Sequence, residues 1–178
     1  MATTEKAWTL EELHALPDDG NRYEVVRGAL FVTPAPTYEH ETIASRLADL
    51  LTPYVLRYGL GRVFRPRAVI RYEGSETEPD LAVRPDIGRD SAWERAPTPS
   101  LVVEILSLST RRRDLGEKRD FYLSAGIPEY WVVDPDDRSI IVIRPGVPNV
   151  TVRDTFTWMP AGAPTSFELP VREIFPSR

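Results

Sequence analysis

The chain has 178 residues, enough to bury a continuous core without disulfide or metal staples, so a single domain is expected. It contains no cysteine, which excludes a disulfide framework and a thiolate zinc site, and with only His14 and His40 as nitrogen donors any metal must rest mainly on oxygen ligands. Lys plus Arg total 22 against 27 for Asp plus Glu, a formal charge of -5, whereas nucleic-acid-binding domains more often carry a basic excess.

The amino terminus MATTEKAWTLEEL has no apolar run behind a basic start, and no later stretch is long and apolar enough to span a bilayer. A soluble, cytoplasmic protein with no membrane partner is expected. Arginines at 62, 65, 67 and 71, and the run Arg111, Arg112 and Arg113, leave room for local basic ground inside the acidic average.

Residues 9–16 have helical spacing and stop at the PDDG turn. RYEVV and ALFVT are β-rich runs on either side of Arg27-Gly28, which predicts a hairpin. From His40 to Tyr58 the apolar residues Ile43, Leu47, Leu50, Leu51, Val55 and Leu56 recur at helical intervals, with Pro53 expected to bend or interrupt the rod. GRVF and RAVIRY read as strands, followed by a polar GSETEP segment, the short DLAV run, and an exposed loop from Arg84 to Pro99.

LVVEIL is apolar except for Glu104, the pattern of a strand buried on both faces and central in a sheet. A helix is predicted over 114–124, capped by Asp114 and Glu117 and ended by Gly126 and Pro128. EYWVVD, RSIIVIRP and NVTVRD return as strands, and VREIF is a last helical turn. The order predicts an α/β (α+β) fold: a mixed central β-sheet flanked by helices, with a core at about 38–135, an N-terminal helix and β-hairpin at 9–33, and C-terminal strands at 138–178.

Glu104 is the most informative residue. An isolated carboxylate among Val102, Val103, Ile105 and Leu106 is costly to desolvate unless a cation pairs with it, either a metal or an arginine of a neighbouring strand. Asp80 opens the DLAV run, and pairing of that run with LVVEIL would bring both carboxylates to one edge. Two carboxylates with a backbone carbonyl and waters suit Mg²⁺, with Mn²⁺ able to substitute. Lys118 falls on one helical face with Asp114 and Tyr122; it is either a solvated partner of Asp114 or a cation returned toward the carboxylates.

Pro79-Asp80 with Glu104 in VVEILS resembles the PD-(D/E)XK nuclease superfamily, and more closely its Uma-two branch of restriction-endonuclease-like proteins. The likeness runs from about Trp8 to Pro145, densest over 101–135, with YEVVRG and the Pro34, Pro36, His40 pattern matching upstream. The superfamily's lysine two residues after the second acid is here Leu106, and the Uma-two pattern carries that lysine on the following helix, at Lys118. Leu108 also departs from the branch, which usually has proline there.

The resemblance implies a metal-dependent endonuclease with a restriction-endonuclease-like core, acting on nucleic acid, with DNA the expected substrate, as a homodimer. Asp80, Glu104 and Glu24 would hold Mg²⁺, Lys118 would orient water and stabilise the phosphate, and His40 would contact phosphate, assist proton transfer or cap the helix. Arg111, Arg112, Arg113 and Tyr122 would touch nucleic acid. The other reading is a non-catalytic module of the same fold that binds protein or nucleic acid, which the net charge of -5 favours.

Overall fold

The central run LVVEIL becomes strand β7 (Leu101–Ile105), every residue of it buried, as the absence of alternation requires. In the computed structural model, which describes residues 6–66, 68–86, 88 and 92–177, β7 is flanked by β6 (Leu81–Arg84) and β8 (Tyr130–Asp134). The sheet has six strands in the order β10 (Val150–Val152), β9 (Ser139–Ile143), β8, β7, β6, β3 (Arg62–Phe64). It is mixed: β7 and β8 run parallel and the other pairs antiparallel.

A parallel pair needs a crossover, and residues 106–129 supply it as α3 (Arg111–Leu115) and α4 (Glu117–Ser124). The expected single helix from Asp114 is therefore two. Its start lies three residues earlier, Asp114 sits inside α3 with its side chain on Arg113, and the predicted capping box with Glu117 is not formed. The break falls at Gly116, where φ is -117° and ψ -98°, and where an added Cβ would lie 2.9 Å from the Arg112 carbonyl.

One face of the sheet, carrying Val103, Ile105, Trp131 and Val133, packs on α2 (Tyr38–Arg57) through Ile43, Leu47, Leu51 and Val55. Pro53 does not interrupt α2. It lies on the exposed face, where the carbonyl it leaves unpaired can bond water, while the buried stripe holds both halves to the sheet. Within the expected region of C-terminal strands, the same core takes in a hairpin, β11 (Thr155–Trp158) with β12 (Phe167–Pro170), whose Phe156, Trp158, Phe167 and Leu169 are buried. VREIF forms a 3₁₀ turn, Val171–Ile174.

The opposite face, with Val102, Leu106, Tyr130 and Val132, is covered by Phe121 and Tyr122 of α4 and by Val26 and Ile70 of a second sheet. That sheet has the order β2 (Ala29–Thr33), β1 (Arg22–Val26), β5 (Ser75–Thr77), β4 (Ile70–Tyr72). The β1–β2 hairpin turns at Arg27 and Gly28, with φ of 50° and 81°, the two positive values a two-residue primed turn demands.

The GSETEP segment, expected as polar connection, instead supplies β5. All three side chains are buried, and two have partners: Ser75 Oγ accepts from the Arg27 amide at 2.9 Å, and Glu76 pairs with Arg71 and, at 3.1 Å, with His14 at the end of α1 (Leu10–His14). Within the expected 84–99 loop, Arg84 ends β6 and is buried, and Trp93–Arg95 form a 3₁₀ turn; residues 87 and 89–91 of it lie outside the described residues, as does Arg67.

Candidate active site

The register of β6 on β7 pairs Leu81 with Val103 and Ala82 with Val102, so the next opposed pair outward is Asp80 and Glu104. Directly opposed residues of an antiparallel pair project to the same face. The link is closed by the Ile105 amide, which donates to Asp80 Oδ2 at 2.8 Å. Both acids line one cavity of about 710 Å³ at this end of the sheet.

Asp80 is held by two more groups. Arg22 Nη1 donates to Oδ1 at 2.9 Å and also to the Glu78 carbonyl at 2.9 Å, and His40 Nε2 lies 3.0 Å from Oδ2. Burial alone would raise the Asp80 carboxyl, but the His40 hydrogen bond and the Arg22 charge outweigh it and hold it well below its ordinary value. The same contact raises His40 above its ordinary value against the opposing effect of burial. His40 is thus placed at the cavity wall from the first turn of α2, whose N-cap is Thr37, not His40.

Glu104 Oε1 accepts from Lys118 Nζ and from the Tyr122 hydroxyl, each at 2.6 Å. Lys118 and Tyr122 are one turn apart on α4, so a single helical face delivers both donors. Lys118 also meets Glu24 Oε1 at 2.7 Å, and Glu24 accepts from the Glu78 amide at 2.8 Å. Burial pushes the Glu104 carboxyl up to about 7; Lys118 works against this, and the nearby charges of Asp80, Asp114 and Glu24 reinforce it. Glu24 is lowered, because Lys118, Arg22 and Arg113 together overcome its burial. Lys118 is thus shared by the two acids, and of the pair Glu104 is the one that burial raises. Lys118 itself is raised, since Glu104 and Glu24 outweigh its burial.

The geometry separates residues that the motif groups together. Asp80 and Glu104 face the cavity; Lys118 and Glu24 are both 0 % exposed and lie behind Glu104, outside the cavity lining. Tyr122, expected to contact nucleic acid, is likewise buried, and it keeps its proton as the donor to Glu104. The arginine run splits: Arg111 pairs with Asp134 at 2.6 Å, Arg112 is exposed, and Arg113 turns inward to Asp114 at 3.2 Å and Thr33 at 2.9 Å. In the sequence Arg22 stands out only as a candidate ion-pair partner of Glu24, not as a residue of the site. Its signal was the β1 alternation, which puts Arg22 on the same face as Glu24.

Among the described residues no three His, Asp or Glu side chains are gathered as a cation site. Mg²⁺ does not need three: it keeps several waters and is commonly held by one or two carboxylates. Glu104 Oε2 accepts no hydrogen bond from the described residues and is not among the buried unpartnered atoms, so it opens to the cavity that Glu104 lines. Asp80 stands opposite it. This donor set fits a hard divalent cation between the two acids, whose charge would oppose the burial and the neighbouring carboxylates that push Glu104 up.

A comparison with solved structures finds the same fold, with a TM-score of 0.76 at 22 % identity, in a protein from Anabaena variabilis ATCC 29413 described as "a putative nuclease belonging to DUF820". The match covers 94 % of this chain and 97 % of that one. No curated protein matches the chain. A family model described as "Putative restriction endonuclease" matches residues 10–172, nearly the whole sequence, and the chain belongs to that family, Uma2.

Proposed function

We propose that the protein is a metal-dependent endonuclease that hydrolyses phosphodiester bonds of nucleic acid, DNA foremost. The observation that carries the reading is the opposition of Asp80 and Glu104 in the lining of the 710 Å³ cavity, with one Glu104 oxygen open to it. Asp80 and Glu104 would hold Mg²⁺ or Mn²⁺. The ion supplies Lewis acidity, lowering the pKa of water and shielding phosphate charge.

The chain's own residues do the rest. Lys118 and Tyr122 fix Glu104 Oε1 so that Oε2 faces outward, and Glu24 keeps Lys118 charged and in place. Arg22, His40 and the Ile105 amide fix Asp80; His40 spends Nε2 on that contact and its Nδ1 is buried, so its part is to hold Asp80. Hydrolysis adds water across the P–O3′ bond and leaves a 5′-phosphate and a 3′-hydroxyl. A homodimer, which the family resemblance implies, would let two such sites address two strands.

A second reading, a non-catalytic binding module, draws support from the cavity wall. Glu39, Glu41, Glu78 and Asp136 add carboxylates around Asp80 and Glu104, and an acidic wall repels a polyanion. Cleavage of a panel of single- and double-stranded DNA and RNA, with Mg²⁺ and with Mn²⁺, separates the two. The nuclease reading expects wild type to cut and Glu104→Ala to be inert while still melting cooperatively. Equal nicking by both preparations, or no cutting together with no rise in melting temperature at millimolar Mn²⁺, refutes it.

A further inference from the structure

Leu106 leaves the reacting centre without the lysine of the superfamily motif, and Lys118 is sealed behind Glu104 with its charge shared between two buried acids. A phosphate in this cavity still needs a cationic donor. Among the described basic groups of the wall, Arg65 is paired with Glu41, His40 with Asp80, and Arg113 with Asp114. Arg22 differs in how its donors are distributed.

A guanidinium carries five N–H groups in a rigid plane. Arg22 spends Nη1 on the Glu78 carbonyl and on Asp80 Oδ1, both at 2.9 Å, and its Nε is buried without a partner. Nη2 makes no hydrogen bond with the described residues, yet it is not among the buried unpartnered atoms, and the side chain keeps 17 % exposure on a residue that lines the cavity. The plane is anchored at one corner on a metal-holding carboxylate and shows its other amino group to the cavity, one guanidinium width away. Arg113 also lines the cavity, but it bonds neither Asp80 nor Glu104.

We propose that Arg22 is the phosphate-holding residue of this site, donating through Nη2 to a non-bridging oxygen of a phosphodiester that enters the cavity beside Asp80. The ligand chemistry is a phosphate ester, and the inference rests on the nuclease reading. An anchored arginine suits the task, since a planar fork can grip the carboxylate and the phosphate at once, and a lysine ammonium cannot reproduce both contacts.

The test compares wild type with Arg22→Lys, which keeps a positive charge for Asp80 and loses the second arm. Mn²⁺ affinity is measured by titration calorimetry, and affinity for a labelled 12-mer single strand by fluorescence anisotropy with Ca²⁺ present. The expected result is Mn²⁺ affinity within about threefold of wild type and oligonucleotide affinity weakened at least about tenfold, the scale of one charge-assisted hydrogen bond. Unchanged oligonucleotide affinity overturns the proposal. So does loss of Mn²⁺ and oligonucleotide binding in equal proportion, which would make Arg22 an anchor for Asp80 alone.

If Arg22→Lys fails to melt cooperatively, the wild-type arginine side-chain ¹⁵N resonances are followed during titration with inorganic phosphate and Mg²⁺. An unmoved Arg22 signal at saturation overturns the proposal equally. A wild type that binds phosphate through Arg22 yet cuts nothing sinks the nuclease reading and leaves this one standing. A wild type that cuts, with Arg22→Lys cutting and binding just as well, does the reverse.

Discussion

Replacing Lys118 with Met tests whether the buried charges are a cooperative assembly. Lys118 is 0 % exposed and holds Glu24 at 2.7 Å and Glu104 at 2.6 Å, so the neutral side chain leaves two buried carboxylates without their shared cation. Stripping one partner from a buried pair costs about 3–5 kcal/mol. The lower end applies here, since Tyr122 still donates to Glu104 and the Glu78 amide still donates to Glu24. At about 2–4 °C per kcal/mol for a chain of this size, a 3 kcal/mol loss lowers the melting temperature by roughly 6–12 °C.

The loss depends on pH in a direction that can be worked out. In the wild type the lowered Glu24 carboxyl stabilises the fold above its ordinary value of 4.5 and loses that contribution as pH falls through the lowered value. Glu104 is already raised by burial in the wild type; in Lys118→Met it loses its opposing charge and Glu24 loses its largest one, so both carboxyls move up and more stability is lost as pH rises above their unfolded values. The difference between the two proteins must therefore grow from pH 5 to pH 8. Urea unfolding at pH 5, 6, 7 and 8 measures it. A difference under about 1 kcal/mol that does not change with pH would refute the shared-cation arrangement.

Two further outcomes are expected. Glu104 must be ionised to hold a cation, and burial pushes it up to about 7, so Mn²⁺ affinity should fall as pH drops through that value, nearing tenfold per unit below it; calorimetry between pH 5.5 and 8 checks this, and a flat profile contradicts it. Gly61 has φ of 116° and an added Cβ would lie 2.0 Å from the Arg84 carbonyl, so Gly61→Ala should cost about 3 kcal/mol in urea unfolding, whereas Gly59→Ala, with φ of 63° and open space around it, should cost about 1 kcal/mol.

The parts of the fold legible in the sequence are those whose signal is local. The periodicity of 40–58 gave a helix found at Tyr38–Arg57, the Arg27-Gly28 turn gave the β1–β2 hairpin, and the unbroken apolar run around Glu104 gave the central strand. The failures have a common cause. Ser75–Thr77 is a strand because β1 and β4 pair with it and Arg71 and His14 meet its glutamate, none of which is near in the local pattern. Gly116 splits the crossover helix, and α4 beyond it sets Lys118 and Tyr122 on Glu104, a contact with a distant strand. The β11–β12 hairpin lies in the region expected to hold C-terminal strands, and alternation in TFTW and FELP is its local signal.

For the site the division is sharper. Sequence alone determined that Glu104 lies buried and needs a cation, because a carboxylate among valines and leucines admits little else. It also fixed the absence of thiolate ligands. Which cation meets which acid was decided only by tertiary structure, since α4, β1 and the β6–β7 register converge from distant parts of the chain. That convergence turns Lys118 away from the cavity and brings Arg22 to it. Spacing along one helix or strand gives a side chain's face, and only the packing of elements gives what that face meets.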